Sequence, residues 1–271
     1  MIIAVLTVLG LCMGSFVNAL VYRLRLQETN PKLSKKYSIL KGRSICPDCK
    51  HGLAAKDLVP LISWLLLKGK CRYCKKPISA QYPLIEAATA TIFVISYVFW
   101  PEELTGVNIL GFIVWLPVSV GLIALAVYDI RWMILPNKII FPLYILVVGN
   151  IFTQSVIASD YNLVVSSFWG VVVGGGIFYV LFQISGGRWI GGGDVKLGFL
   201  LGSITGGPVL AFMMLFIASL LGSIFSVPLI LKTRLGARTK IAFGPFLILS
   251  AMIVTLFGEK IIDLYNNLLM L

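Results

Sequence analysis

Charged residues are scarce in this sequence, and histidine is almost absent. Only 13% of the 271 residues are charged, 58% are hydrophobic, and the mean hydropathy is +0.94. A soluble domain cannot cover so much apolar surface, so the composition predicts a polytopic membrane protein. The single histidine, His51, argues against a Ser/His/Asp triad. The sequence also lacks a P-loop and a G-x-G-x-x-G after a predicted strand, which excludes a soluble-type nucleotide fold.

The apolar residues fall into eight runs, several of which exceed the ~20 residues that cross a ~30 Å hydrocarbon core. The runs are 1–21, 83–100, 107–128, 138–157, 163–184, 195–205, 208–231 and 242–258. No basic segment precedes the first run, so we expect a retained span rather than a cleaved signal peptide. The sixth run is short, and Gly206-Gly207-Pro208 predicts a tight hairpin to the seventh. The predicted fold class is therefore all-α and polytopic, with about eight transmembrane helices.

Acidic residues are few, and the positive charge is unevenly placed. If the loop 22–82 lies in the cytoplasm, all but one of the 23 Lys and Arg residues fall on that side, the exception being Lys260. The positive-inside rule then places the N-terminus outside the cell. The net charge of +12 is thus a topology signal with some attraction to anionic lipid, and we expect a lipid bilayer rather than nucleic acid as partner.

The loop 22–82 contains two C-x2-C pairs, Cys46/Cys49 and Cys71/Cys74. Two such pairs can supply four thiolates to one tetrahedral ion, which predicts a structural zinc site. Two disulfides or four unrelated thiols are the alternatives, and disulfides fit a reducing cytoplasm poorly. A catalytic zinc is not expected, because four thiolates leave no open coordination position. We interpret His51 as an exposed loop residue.

Four acidic residues lie in or against apolar runs: Glu86, Asp129, Asp194 and Asp263. A carboxylate at mid-bilayer costs roughly 2.5–3.5 kcal/mol on insertion scales, so each is a candidate for function. Asp263 lies in a C-terminal tail that contains several polar residues, and it is the weakest candidate for a functional role. Glu86 either caps a helix N-terminus or lines a site.

The topology places Asp129 and Asp194 together at the cytoplasmic membrane face. Two facing carboxylates share one proton, so one can take a proton from water while the other donates to a carbonyl oxygen. That is the chemistry of aspartyl peptide hydrolysis, and glycines before Asp194 would let an extended substrate backbone approach. The alternatives are ion pairs with Arg131, Arg188 or Lys196, and a proton-coupled transporter.

Several motifs in order resemble the type IV prepilin peptidases, a family of membrane aspartyl proteases. They are Gly14-Ser15-Phe16-Val17-Asn18, Arg43-Ser44-Ile45-Cys46-Pro47-Asp48-Cys49, Pro60-Leu61-Ile62-Ser63-Trp64, Gly69-Lys70-Cys71-Arg72-Tyr73-Cys74, Tyr82-Pro83-Leu84-Ile85-Glu86, Gly191-Gly192-Gly193-Asp194 and Ile241-Ala242-Phe243-Gly244-Pro245-Phe246. The last carries Ala242 where the family usually has proline. The resemblance covers nearly the whole chain.

The resemblance implies that Asp129 and Asp194 are the catalytic pair. It also implies an active-site loop of Gly191, Gly192, Gly193 and Lys196. The implied substrates are type IV prepilins or pseudopilins, cleaved after a glycine at the cytoplasmic face of the bacterial inner membrane. Glu86 is a candidate to receive the basic leader of the substrate. Family members with such a cysteine-bearing loop often also N-methylate the new amino terminus, which would require S-adenosylmethionine.

Three segments follow from this interpretation. Residues 1–21 are the first transmembrane helix, residues 22–82 are a cytoplasmic loop domain with the four-cysteine zinc site, and residues 83–271 are a membrane domain with the aspartyl pair. The competing classes are a transporter, in which the acids carry protons, and a zinc-bearing assembly scaffold, in which both aspartates are dispensable.

Overall fold

A computed structural model describes residues 1–30, 42–106, 108–233 and 241–269 of the chain. Residues 31–41 of the predicted loop and the basic residues Arg234, Arg238 and Lys240 lie outside the described residues. The described residues form nine α-helices and a short 3-10 turn at Ala55–Asp57. In chain order the helices are α1 (Ile2–Thr29), α2 (Ile62–Leu66), α3 (Gln81–Val98), α4 (Asn108–Trp132), α5 (Asn137–Ala158), α6 (Asn162–Ser185), α7 (Gly192–Thr205), α8 (Pro208–Thr233) and α9 (Gly244–Leu269).

The prediction of an all-α, multi-pass membrane protein is confirmed. Among the described residues, six helices are long and apolar enough to cross a membrane, namely α1, α4, α5, α6, α8 and α9. The other two predicted spans correspond to α3, which has 18 residues, and α7, which has 14. The predicted count of eight spans is therefore approximate. Helix α7 also begins at Gly192, because two of the three glycines enter its first turn rather than precede it.

The chain divides into two compact units, Met1–Val98 and Phe99–Leu271. The first contains α1, α2, α3 and the cysteine-bearing loop, and the second contains α4 to α9. The predicted division at residues 21 and 82 follows the membrane boundary instead, and it stays a prediction about how the chain is organised.

In the first unit, α1 and α3 pack antiparallel through small residues. A β-carbon on Gly10 would lie 2.5 Å from Cα of Ala90, and one on Gly14 would lie 2.6 Å from Cα of Glu86. Such close backbone approach is the usual basis of helix pairing in membranes, where burial of apolar surface supplies little driving force between helices. Further along the pair, Asn18 Nδ2 donates to the carbonyl oxygen of Tyr82 across 3.2 Å.

In the second unit, α4 is the central helix. Over its most apolar stretch 56% of the helix is buried, against 28% for α5, α6 and α8. A helix that is apolar on every side is expected to be surrounded by other helices. Because α4 ends at Trp132, its last turn carries Asp129 at a buried position.

Glycines hold α7 against α6 in this unit. A β-carbon on Gly202 would lie 2.4 Å from the carbonyl oxygen of Gly170, and one on Gly198 would lie 2.7 Å from that of Gly174. Two small-xxx-small pairs therefore face each other, which lets the two backbones touch. This contact fixes α7, and with it the position of Asp194 in the first turn of that helix.

Candidate active site and metal centre

Asp129 lies on the last turn of α4, with only 5% of its surface exposed. Its Oδ2 accepts a hydrogen bond of 3.1 Å from the backbone N–H of Gly244, the first residue of α9. The carboxylate therefore sits at a helix N-terminus, where unpaired N–H groups and the helix dipole favour an anion. Residue 244 must be glycine for this contact, since a β-carbon there would lie 2.6 Å from the same Oδ2.

Asp194 lies in the first turn of α7 and is half-buried. One turn further along, the side chain of Leu197 approaches Gly244, so that a β-carbon on Gly244 would lie 3.5 Å from Leu197 Cδ2. Asp129 and the start of α7 thus meet around the same residue of α9. The two carboxylates are close enough for a direct electrostatic interaction. The structure brings together the two aspartates that the sequence analysis paired.

The three cations considered as partners of these aspartates are engaged elsewhere. Lys196 Nζ donates to Asn137 Oδ1 across 3.1 Å, and Arg188 Nε donates to the carbonyl oxygen of Ser185 across 3.1 Å. The guanidinium of Arg131 lies over the ring of Trp132, 5.0 Å from its centroid. The two carboxylates are therefore not explained as halves of these ion pairs.

The three glycines before Asp194 adopt ordinary backbone angles, so they are not needed for an unusual turn. The positive φ values occur earlier, at Gly186 (58°) and Gly187 (75°), where α6 ends. Gly191 and Gly192 are exposed, and Gly193 faces Leu135. The absence of side chains leaves open space beside the Asp194 carboxylate, since a β-carbon on Gly191 would already lie 3.3 Å from Asp194 Oδ2.

Residues of α5 hold the start of α7 in place. In addition to the bond between Lys196 and Asn137, the hydroxyl of Tyr144 donates to the backbone oxygen of Lys196 across 2.7 Å. The sequence analysis included Lys196 in the loop but missed Tyr144 and the role of Gly244. Gly244 lies within a motif that the family resemblance had singled out, which was the available signal. No sequence signal marked Tyr144, because it is one tyrosine in an apolar helix.

In the first unit, the four predicted metal ligands come together. The Sγ atoms of Cys46, Cys49, Cys71 and Cys74 all lie within 4.8 Å of one another. Those of Cys46 and Cys74 are 3.9 Å apart. Tetrahedral zinc with Zn–S bonds of ~2.3 Å requires sulfur–sulfur distances of roughly 3.8 Å, so the four thiols fit such an ion.

The two cysteine pairs have the same backbone turn. In each, the N–H four residues after the first cysteine donates to that cysteine's carbonyl oxygen, from Lys50 to Cys46 and from Lys75 to Cys71, both at 3.0 Å. Both lysines have positive φ, 59° and 60°.

Hydrogen bonds, chiefly from the N–H of Cys74, lower the pKa of the Cys71 thiol to about 7. Despite a lowering contribution from the N–H of Lys76, burial and the neighbouring thiols raise the pKa of Cys74 to about 11. Four thiols this close cannot all ionise without a cation, which is consistent with a metal site.

Asp57 ties the second cysteine pair to the chain between the two pairs, and the sequence analysis did not identify it. Its side chain is 3% exposed and accepts hydrogen bonds from Arg72 Nε (2.6 Å) and the Tyr73 hydroxyl (3.1 Å). The bond from Arg72 lowers the pKa of Asp57. His51 is exposed, as predicted, and its ring packs on that of Tyr73 at 3.8 Å.

Glu86 is 7% exposed and does not cap α3, since it lies beyond the first turn of that helix. Its Oε2 accepts a 2.8 Å hydrogen bond from the backbone N–H of Leu61, and Ser15 also hydrogen-bonds to it. Three of the sequence motifs, those around Gly14, Pro60 and Tyr82, therefore meet at this carboxylate. The structure does not test whether Glu86 contacts a substrate.

A cavity of about 240 Å³ in the second unit is lined by Trp100, Asn150 and Thr255, each with a buried polar atom that lacks a hydrogen-bond partner. Its acidic residues are Glu102 and Glu259, and its lining includes no Lys or Arg. The lining holds no cation for the carboxylate of S-adenosylmethionine, so the cavity is not assigned to that molecule. Trp115 in its wall also lies about 20 Å along α4 from Asp129.

Comparison with known proteins identifies relatives along most of the chain. The sequence model of the Bacterial Peptidase A24 N-terminal domain matches residues 8–100, and that of the Type IV leader peptidase family matches residues 116–227. A prepilin leader peptidase/N-methyltransferase of Aeromonas salmonicida is 31% identical over 94% of this chain and 91% of its own length. A prepilin leader peptidase/N-methyltransferase of Pseudomonas aeruginosa is 31% identical over 95% of this chain and 91% of its own length. A type 4 prepilin-like proteins leader peptide-processing enzyme of Escherichia coli is 35% identical over 91% of this chain and 90% of its own length. No solved structure matches the chain.

Proposed function

This chain belongs to the Type IV leader peptidase family, and from that premise we propose that it is an aspartyl endopeptidase that removes the basic leader from type IV prepilins or pseudopilins. Asp129 and Asp194 are the catalytic carboxylates. The observation that carries the proposal is that Asp129 and α7, the helix that carries Asp194, meet around Gly244 while the neighbouring cations are engaged elsewhere. Family membership does not favour a transporter or an assembly scaffold.

The chemistry requires one ionised and one protonated carboxyl group. Two interacting carboxylates share a proton, because like charges at short range cannot both persist at low cost. The ionised group takes a proton from a water molecule, whose oxygen attacks the scissile carbonyl carbon. The protonated group donates to the carbonyl oxygen. The tetrahedral intermediate then collapses with cleavage of the C–N bond and protonation of the leaving nitrogen.

The loop of Gly191, Gly192, Gly193 and Lys196 forms the approach to this pair. The first two glycines are exposed, which supports an extended substrate backbone beside Asp194. Lys196 acts as a positioning residue, because its bonds to Asn137 and Tyr144 connect the start of α7 to α5. Rigid support of this kind matters, since small displacements of a catalytic group are costly to rate.

Cleavage takes place at the cytoplasmic face of the bacterial inner membrane, after a glycine. The distribution of Lys and Arg supports this face, since it places the end of α4 and the start of α7 in the cytoplasm and the N-terminus outside. The substrate would then be cut where its apolar helix enters the bilayer.

The cysteine tetrad holds a structural Zn²⁺. The distances among the four sulfurs support this ion, and a site of four thiolates has no open position for catalysis. For so small a module, metal binding supplies much of the folding free energy. Cys46, Cys49, Cys71 and Cys74 would hold the two turns together around it.

The chain also N-methylates the new amino terminus, as the names of its relatives suggest. S-adenosylmethionine is the expected methyl donor. No residue is assigned to the methyl transfer.

Glu86 is the candidate to receive the basic leader of the substrate, and this role stays a prediction. Its negative charge supports the role, whereas its hydrogen bonds to Leu61 and Ser15 support a structural one. Replacement of Glu86 by Gln keeps most of the shape and removes the charge. If the Glu86→Gln variant cleaves a substrate that carries its full set of leader lysines as well as wild type does, Glu86 does not bind the leader.

The test of the proposed function is cleavage of a prepilin by the purified protein in detergent, followed by mass spectrometry of the new N-terminus. Asp129→Asn and Asp194→Asn should each abolish cleavage while leaving the thermal unfolding profile intact. Asp263→Asn is the matched control, since Asp263 is an exposed acidic residue of α9. If either Asp129→Asn or Asp194→Asn still cleaved the prepilin, the two-carboxylate mechanism would be refuted. Failure of well-folded wild type to cleave any prepilin would refute the function itself.

A further inference from the structure

The segment from residue 58 to residue 67, Leu-Val-Pro-Leu-Ile-Ser-Trp-Leu-Leu-Leu, carries no charge although it lies within the loop that the composition marks as polar. Five of its large apolar side chains are 39–77% exposed: Leu58, Val59, Ile62, Leu65 and Leu66. Single exposed apolar residues are normal, but a contiguous group marks a surface that contacts a partner or a membrane.

Hydrogen bonds fix the position of this segment against α3 and the residues just before it. The backbone N–H of Leu61 donates to Glu86 Oε2 at 2.8 Å, and Trp64 Nε1 donates to the carbonyl oxygen of Ile78 at 3.3 Å. Leu61 itself has φ 59° and ψ −52°, and the N–H of Ile62 donates to the carbonyl oxygen of Pro60 at 2.6 Å. These angles define a γ-turn, a strained conformation that persists only where its surroundings enforce it.

The same contacts give the depth of the segment. Glu86 packs against Gly14 of α1, and α1 carries no charged residue from Ile2 to Tyr22. That stretch is about the length that crosses a ~30 Å hydrocarbon core. Gly14 precedes Tyr22 by about 12 Å along the helix. Leu61, which is hydrogen-bonded to Glu86, therefore lies deeper in the membrane than the point at which α1 leaves the apolar layer.

The surroundings of the segment match those of a lipid-facing surface. On α3, Leu84 lies two residues before Glu86 and is 67% exposed, so the helix that carries Glu86 also exposes a large apolar side chain. Three exposed lysines flank the segment, Lys56 on one side and Lys68 and Lys70 on the other. Lysines at such a border extend to the headgroups and attract anionic lipid.

We propose that residues 58–67 insert into the cytoplasmic leaflet of the bilayer as a short wedge, with Ile62, Leu65 and Leu66 in contact with acyl chains. The wedge explains how the Glu86 carboxylate lies at membrane depth without facing lipid, since Leu61 covers and hydrogen-bonds it. The cysteine-bearing module is then anchored to the membrane by this segment as well as by α1 and α3. This inference does not depend on the proposed peptidase activity.

The test places the photocrosslinker p-benzoylphenylalanine at position 66 in the full-length protein, reconstituted in nanodiscs of phosphatidylethanolamine with a minority of phosphatidylglycerol. Position 84 on α3 is the positive control for lipid contact. Position 76 is the negative control, because the Lys76 side chain is 61% exposed and lies on the second cysteine turn. Mass spectrometry of each photolysed protein measures the yield of lipid adducts.

We expect lipid adducts at position 66 in a yield comparable to that at position 84, with none above background at position 76. Position 65, which is also exposed, provides a second site in case the substitution at 66 prevents folding. Crosslinks from positions 65 and 66 to polypeptide instead of lipid would show that a protein surface covers the segment and would overturn the proposal. A yield at both positions as low as that at position 76 would overturn it as well.

Discussion

The backbone N–H of Gly244 donates to Oδ2 of Asp129 across 3.1 Å, joining two residues that are 115 positions apart in the chain. The contact places the carboxylate at the first residue of α9 and leaves no room for a side chain at position 244. It explains why a glycine occurs in the motif Phe243-Gly244-Pro245, where neither a turn nor a positive φ requires one.

Replacement of Gly244 by alanine should therefore disable the proposed catalytic pair. A β-carbon 2.6 Å from Oδ2 must displace Asp129, and a displacement near 1 Å can lower a catalytic rate by about 100-fold. We expect kcat for prepilin cleavage to fall by about this factor. The control is Gly149→Ala on α5, where no atom lies within 4 Å of the added β-carbon. Equal activity of Gly244→Ala and wild type would contradict the proposed role of Asp129.

A substitution at the contact between α6 and α7 should lower the stability of the protein without altering the catalytic groups. Gly202→Ala would place a methyl group 2.4 Å from the carbonyl oxygen of Gly170, and backbone cannot give way as a flexible side chain can. Overpacking of this kind costs about 1–3 kcal/mol, so we expect a lower unfolding temperature in detergent. Gly176→Ala on α6 is the control, since its nearest neighbour would be Val172 at 4.0 Å. Similar unfolding temperatures for the two variants would show that α6 and α7 are not held together by close backbone contact.

The zinc site predicts one metal ion per chain. Cys46→Ser removes one of four ligands, and we expect the metal content to fall well below one and the loop 42–80 to become sensitive to limited proteolysis, because metal binding drives folding in small modules. Elemental analysis and peptide mapping measure the two effects. Cys12→Ser should leave both unchanged, since Cys12 lies on α1 outside the cluster. A wild-type protein purified without chelators that contained no zinc would contradict the assignment of the ion.

We expect Asp57 to stabilise the protein by an amount that does not change with pH across the neutral range. Its pKa is lowered in the folded protein by Arg72, so the stabilisation is fully present above the ordinary Asp value of ~3.9 and is lost only as the pH falls through the lower folded value. Asp57→Asn should destabilise the cysteine-bearing loop by the same amount at pH 7 and at about pH 5. Chemical denaturation of both proteins, followed by the fluorescence of the loop, measures the difference. A destabilisation that is larger at about pH 5 than at pH 7 would mean that the folded pKa of Asp57 is raised instead.

Much of the site was predictable from the sequence, because it rests on features that neighbouring residues carry. Cys46 and Cys49, or Cys71 and Cys74, indicate a metal site by their spacing, and a thiolate cluster must close around its ion. Asp129 and Asp194 are conspicuous because a carboxylate is costly near apolar spans, and the positive-inside rule predicts that both lie at one face.

The contacts that position these groups were not predictable in the same way. Tyr144 gave no signal, and the three cations nearest the aspartates in sequence contact Asn137, Ser185 and Trp132 instead. Nothing in the sequence distinguished Asp57 from the other charges of the loop, whereas its side chain is buried between Arg72 and Tyr73. The partner of a charged side chain is set by the packing around it, and the order of residues in the chain does not specify that packing.

The sequence alone determined the multi-pass membrane class, the cysteine tetrad and the family, because hydropathy, cysteine spacing and short motifs are local properties of a chain. Only the tertiary structure decided that Gly244 holds Asp129, that facing glycines join α6 to α7, and that Glu86 supports a strained turn at Leu61. Each of these is a contact between residues far apart in sequence, and its geometry depends on the packing of whole helices. Composition can require that a buried carboxylate find a partner, but only the fold selects which one.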